Sequence, residues 1–154
     1  MKSKVRNQLS VTTLKQSMQM LEAGYSIDTA DMVWVKPHYH VSAILQEKEK
    51  SKNYPIDLYD ILPAWSLLRL YQMLPTCLLI TINEETGECI SWDLNIDKYL
   101  GVKYVDGDGK IIYVGKADSL TPMDNLVGTF IWLAENNWMF AVNEELNYVP
   151  EELR

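Results

Sequence analysis

Two stretches decide the fold class: CLLITINEETGECISWDL, residues 77–94, and VKYVDGDGKIIYV, residues 102–114. In the first, two β-rich runs, Cys77 to Asn83 and Cys89 to Leu94, flank the turn-forming Glu84-Glu-Thr-Gly87. In the second, Val102 to Val105 and Lys110 to Val114 flank Asp106-Gly-Asp-Gly109, a stronger turn signal because both glycines tolerate positive φ. Consecutive strands joined by tight turns can only pair antiparallel, since a parallel pair needs a crossover of a dozen residues or more.

Working outward, the hydrophobic period changes from two to that of a helix. Upstream, Ser66 stands as a helix cap before Leu67, Leu70, Tyr71 and Leu74, and Pro75 stops the run. Downstream, Thr121 as cap, Pro122 at the first helical position and Asp124 in the first turn open a helix expected to reach about Asn136. Near the N-terminus, Ser10 is the expected cap of a helix whose stripe is Val11, Leu14, Met18 and Leu21, closed by Gly24. Val33-Trp-Val35 is β-prone, and Pro37 makes that strand an edge or interrupts it. Gln46 to Asn53 is the most polar stretch and is expected as an exposed loop, the best place for a flexible insertion. Pro55 to Ile61 is expected as a short extended piece.

The order is helix, strand, helix, hairpin, hairpin, helix. It predicts an α+β fold, with an antiparallel sheet of four or five strands built from hairpins and packed by two or three helices. The expected organisation is a flexible basic N-terminus at 1–9, a single domain at 10–142 and an acidic C-terminal tail at 143–154. With 154 residues, 47% of them hydrophobic and 23% charged, the chain is long enough to bury a sizeable core.

Charge separates along the chain. Residues 1–52 hold 8 Lys/Arg against 5 Asp/Glu, and residues 53–154 hold 6 against 16, within a net charge of -7. An acidic body repels a phosphate backbone, so nucleic acid is not expected as a partner. Only Lys2, Lys4, Arg6 and the run Lys48, Lys50, Lys52 would form a basic patch, and a solvated tail and loop explain them. The most apolar segment, Leu126 to Ala134, is far shorter than the roughly 20 residues of a membrane span. No basic-then-apolar opening suggests a signal peptide. The expected location is the cytoplasm, with no membrane partner.

The residue types that carry chemistry are few. His38 and His40 lie two apart, which on a strand puts both rings on one face as two metal ligands, but no His or Cys is spaced to supply a third. Asp106-Gly-Asp-Gly-Lys110 has the start of a calcium loop, yet Lys110 and Ala117 stand where the fifth and twelfth positions need oxygen ligands. Cys77 and Cys89 fit no metal or redox spacing. With Asn83 opposite Glu88, Cys77 falls opposite Leu94 and Cys89 opposite Ile82, about 17 Å apart and beyond disulfide reach. Ser10, Ser66 and Thr121 sit at helix starts, where the hydroxyl already has a backbone partner. No nucleophile elbow, phosphate loop or dinucleotide fingerprint occurs. No catalytic residue, cofactor or metal is therefore assigned.

Aromatic residues are more informative: 5 Trp, 9 Tyr and 2 Phe. Trp65, Trp132 and Trp138 lie in or beside expected helices, and core packing is the first explanation for each. The run Leu126 to Ala134 is apolar almost all round, so its helix is either covered on two sides or offers a face to a partner. Trp65, Trp132 and Trp138 are the candidate interaction surface, and a homodimer is expected.

Four segments occur in an order that resembles a group of small uncharacterised proteins of gut Bacteroidetes and of their prophages and mobile elements. They are LEAGYSIDTADM (21–32), LPAWSL (62–67) with Leu74-Pro75, TPMD (121–124) and IWLAEN (131–136). The resemblance spans residues 9–138. It implies a leading helix, a strand after the TADM segment, hairpins, and a last helix ending in WL-x-EN. It also implies a bacterial or phage cytoplasmic origin, and it carries over no catalytic residue. The function expected is a non-enzymatic binding or accessory protein acting through protein–protein contacts, on a host or phage protein. The alternative is a small hydrolase or metal-dependent enzyme using His38, His40 and nearby carboxylates.

Overall fold

A computed structural model describes residues 11–39, 42–97, 101–114 and 121–142. The expected tails at 1–9 and 143–154, His40 and the cap Ser10 lie outside the described residues. The fold is α+β, and among the described residues seven strands fall into two antiparallel sheets, of three and four strands. Where the sequence suggests one domain at 10–142, the described residues cluster into two compact units, one ending at Met73 and one beginning at Leu74.

In the first unit, α1 (Leu14–Ala23) starts at Thr13 rather than Ser10. The Thr13 hydroxyl accepts from Gln16 N–H at 3.1 Å, and the Gln16 side chain accepts from Thr13 N–H at 2.9 Å. This reciprocal pair satisfies two of the unpaired donors at the helix start. Gly24, at φ 105°, closes the helix in the left-handed conformation that a side chain would disfavour.

Strand β1 (Met32–Pro37) is central, flanked by β2 (Ile44–Glu47) and β3 (Tyr59–Ala64). Pro37 thus ends a central strand. His38 N–H donates to Leu58 O, so by alternation residue 37 faces the β2 side, where pairing has already stopped at Val35–Ile44. The missing proline donor leaves no ladder bond unmade. The polar stretch is more ordered than expected: Gln46 and Glu47 belong to β2, and Lys48–Asn53 form a 3-10 helix. Pairing with β1 overrides the polar composition.

One threonine ties this unit together. Thr12 N–H donates to Trp65 O at 2.9 Å, and Trp65 N–H donates back to Thr12 Oγ1 at 3.0 Å. The Thr12 carbonyl accepts from Trp34 Nε1 at 2.8 Å, and its hydroxyl lies 2.8 Å from Ser17 Oγ in α1. Both Thr12 and Ser17 are fully buried. A buried hydroxyl without a partner would cost about 1–3 kcal/mol, and among the described residues no buried side-chain nitrogen or oxygen lacks one.

The second unit carries the sheet β4 (Cys77–Asn83), β5 (Glu88–Ile96), β6 (Val102–Val105) and β7 (Ile111–Val114), in that order. Both turns form where the sequence places them, with Gly87 and Gly109 at φ 69° and 80°. The first hairpin departs by one residue. Asn83 does oppose Glu88, but a bulge between Thr81 and Asn83 leaves Ile82 unpaired, so Cys89 opposes Thr81 and Cys77 opposes Asp93. Cys77 and Cys89 are free thiols.

Helix α3 (Pro122–Glu135) has the expected start: the Thr121 hydroxyl accepts from Asp124 N–H at 3.1 Å and Pro122 opens the first turn. Met123, Leu126, Val127, Phe130 and Leu133 are buried along it, at helical spacing. The helix meets β6, where Asn125 Oδ1 accepts from Val102 N–H at 3.1 Å. Phe130 has no exposed surface. Phe130→Ala is expected to lower unfolding free energy by about 3–5 kcal/mol, measured by urea denaturation. An unchanged midpoint would remove α3 from the core.

Candidate functional site

Three places in the structure gather polar, aromatic or apolar groups that merit a functional reading. The first is a cleft of about 460 Å³ in the first unit, lined by Ala30, Asp31, Glu47, Lys48, Glu49, Leu68, Arg69 and Gln72. Its floor joins the 3-10 turn Ile27–Thr29 to α2 (Leu67–Met73). Arg69 is buried, and its Nε donates to Thr29 O at 2.8 Å. Burial pulls the guanidinium below its ordinary value, and the neighbouring Asp31 carboxylate opposes that shift. Asp31 in turn accepts from Ser66 N–H at 2.8 Å through Oδ1 and from the Ser66 hydroxyl through Oδ2.

The Ser66 hydroxyl also accepts from Arg69 N–H at 3.1 Å, so its proton and an acceptor site are both taken. It is the helix cap that the sequence suggests. The lysine run contributes here too, because Lys48 Nζ donates to Asp28 O at 3.0 Å, closing the end of a 3-10 turn. The cleft is held by groups that are occupied with one another. Asp31 and Arg69 went unmarked in the sequence because Asp31 and Ser66 meet across 35 residues, and Arg69 and Thr29 across 40.

The second place is His38. Its Nε2 lies 3.0 Å from Asp60 Oδ1, just beyond the end of β1, and both side chains are well exposed. This is a histidine oriented by a carboxylate. Among the described residues no three of His, Cys, Asp and Glu come together as a metal site. The candidate calcium turn is committed to its own backbone: Asp106 Oδ1 accepts from Asp108 N–H at 3.0 Å and from Lys110 N–H at 2.8 Å.

The third place is the second unit, with its aromatics and its first hairpin. Trp132 stacks on Tyr113 at 4.5 Å between ring centroids and on Tyr104 at 6.3 Å. Trp138 meets Trp92 edge-on at 6.0 Å. Both tryptophans are half-buried. Trp65 is different: it is fully buried and its indole N–H donates to Thr29 Oγ1 at 3.0 Å, so it has no surface to offer a partner and is corrected to a core residue of the first unit. The aromatic rings on α3 therefore find partners on the sheet.

In the second unit, exposed apolar surface gathers on the strands. Leu79, Ile82, Ile90, Ile96 and Ile111 are all exposed, and every residue from 81 to 90 is exposed. The β4–β5 hairpin thus projects, with Ile82 and Ile90 beside an acidic tip of Glu84, Glu85 and Glu88. The sequence marked this hairpin as structure and not as surface, because alternation predicts a strand equally well whether its far end is covered or bare.

No protein-family model, curated protein or solved structure matches this chain. Among the described residues no helix is long and apolar enough to cross a membrane.

Burial holds the Tyr113 phenol above its ordinary value near 10, against the opposing hydrogen bond with Thr129. A proton bound more tightly in the folded state means stability that is full below the unfolded value and lost as pH rises through the folded one. Melting temperature is expected to fall as pH rises above about 10, and Tyr113→Phe is expected to flatten that fall. An equal slope in the variant would show that Tyr113 is solvated as in the unfolded chain.

Proposed function

We propose that the protein is a non-enzymatic binding protein that acts through protein–protein contacts made by the β4–β5 hairpin. The supporting observation is the run of exposed residues from 81 to 90, which carries Ile82 and Ile90 into solvent. Covering one such side chain contributes about 1.5–3 kcal/mol, so three or four of them outweigh much of the cost of association. The acidic tip suits a partner with an apolar centre and a basic rim, and it repels nucleic acid. The resemblance to proteins of gut Bacteroidetes and their prophages makes a host or phage protein the expected partner, and the cytoplasm the expected setting.

A hydrolytic reading draws on one observation, the His38–Asp60 pair, which has the geometry of a base and its orienting carboxylate. Ser66 offers that reading no free hydroxyl, since it is bonded to Asp31 and Arg69.

A photo-crosslinking residue in place of Ile82, compared with one in place of the exposed Asp108 on the second hairpin, separates these readings. In producing cells, position 82 is expected to give a discrete adduct containing another protein, lost on Ile90→Lys, while position 108 gives none. Equal adducts from both positions, or none from either, would contradict the binding reading. Turnover of an ester or peptide panel that disappears in His38→Ala would replace it by the hydrolytic one.

A further inference from the structure

The register of β4 exposes a row of backbone groups that nothing among the described residues satisfies. Leu94 N–H donates to Thr76 O, so residues 76, 78 and 80 face β5 and residues 77, 79 and 81 face outward. The geometry points to a second copy of this chain on that edge: β4 pairs antiparallel with β4 of the copy about a two-fold axis at Leu79, joining two four-stranded sheets into one of eight. This rests on the protein-binding reading and goes beyond it: the copy takes the outer edge of β4, while the hairpin tip remains for the other protein.

The outward residues are symmetric about Leu79. A two-fold axis there sets Cys77 opposite Thr81 of the copy, Leu79 opposite Leu79, and Thr81 opposite Cys77. These are three hydrogen-bonded pairs, each exchanging two backbone bonds. Leu79, 57% exposed, meets its own counterpart on the uncovered face. On the other face Leu78, which is buried, falls opposite Ile80 of the copy, so an apolar row continues across the junction.

Charge sets no obstacle within the strand and favours this direction. β4 contains no Asp, Glu, Lys, Arg, Pro or Gly, so self-pairing sets no like charges opposite each other within the strand. The acidic tip, Glu84 onward, lies five residues from the axis. An antiparallel pair therefore holds the two tips about 33 Å apart, at about 3.3 Å per residue, well beyond the screening length of about 8 Å at physiological salt. A parallel pair would set the tips side by side. The other long edge, β3, carries Pro63, whose outward position lacks a donor, and β2 and β7 have only four residues each.

Sedimentation of the full chain across micromolar concentrations, with charge variants at the axis, tests the pairing. The wild type is expected to be a dimer. Leu79→Lys alone and Leu79→Glu alone each place like charges face to face and should raise the dissociation constant about 100-fold or more. Mixing the two variants should restore the dimer, which happens only if Leu79 faces its own counterpart. Thr81→Pro, which removes an outward donor and leaves the β5 ladder intact, should weaken the dimer independently. A wild type that stays monomeric, a dimer indifferent to both charge variants, or a mixture that fails to associate would each overturn the pairing. A monomeric wild type whose position 82 still crosslinks to another protein would overturn the self-pairing and leave the binding reading standing. Loss of both would remove both.

Discussion

An antiparallel sheet leaves a row of N–H and C=O groups unpaired along each outer strand, and folded proteins cover, shorten or blunt those rows. The strands of this protein answer that constraint unequally. β3 carries Pro63 at an outward position, and just past its end Thr12 takes both backbone groups of Trp65. β2 is short and runs into the charged 3-10 helix. β7 is short as well. β4 is seven residues long, uncharged and bulged only near its tip. The proposed binding function rests on that inequality rather than on a constellation of reactive side chains.

Polar groups that resemble chemistry in the sequence turn out to hold backbone in place. Ser66 caps α2 and bonds Asp31; Asp31 sits beside the buried Arg69; Arg69 binds the carbonyl of Thr29; and Thr29 receives the indole of Trp65. The chain of contacts locks the 3-10 turn to α2, and a buried charge is tolerable there because it has partners. The Asp106 carboxylate likewise serves its own turn. Groups committed in this way are poor candidates for catalysis, whereas the exposed side chains of the hairpin add little to stability and leave apolar area for a partner to bury.

Much of the architecture was legible in local signals. Thr121-Pro-Met-Asp124 has a cap, a proline without need of a donor and an early acid, and α3 starts there. Gly87 and Gly109 occupy the positive-φ positions that tight turns demand. What was not legible depends on distance or on a single extra residue. The bulge at Ile82 shifts every pairing toward Cys77 by one, and no alternation of side chains announces it. Thr12 and Trp65 meet across 53 residues, and Asp31 and Ser66 across 35, so no local window contains either contact. The burial of Trp65 was equally hidden, because an indole beside a helix start has the same sequence whether it faces core or solvent. For Pro37 one of the two readings holds: the strand is interrupted at the proline, and it is not an edge, since it has neighbours on both sides.

The edge of β4 can be read amide by amide. Hydrogen exchange followed by NMR distinguishes Leu78 and Ile80, whose N–H groups face β5, from Cys77, Leu79 and Thr81, whose N–H groups face outward. If two copies share this edge, the outward three exchange fast in dilute solution and become protected as concentration rises, while Leu78 and Ile80 stay protected throughout. Outward amides that exchange at one fast rate at every concentration would contradict it.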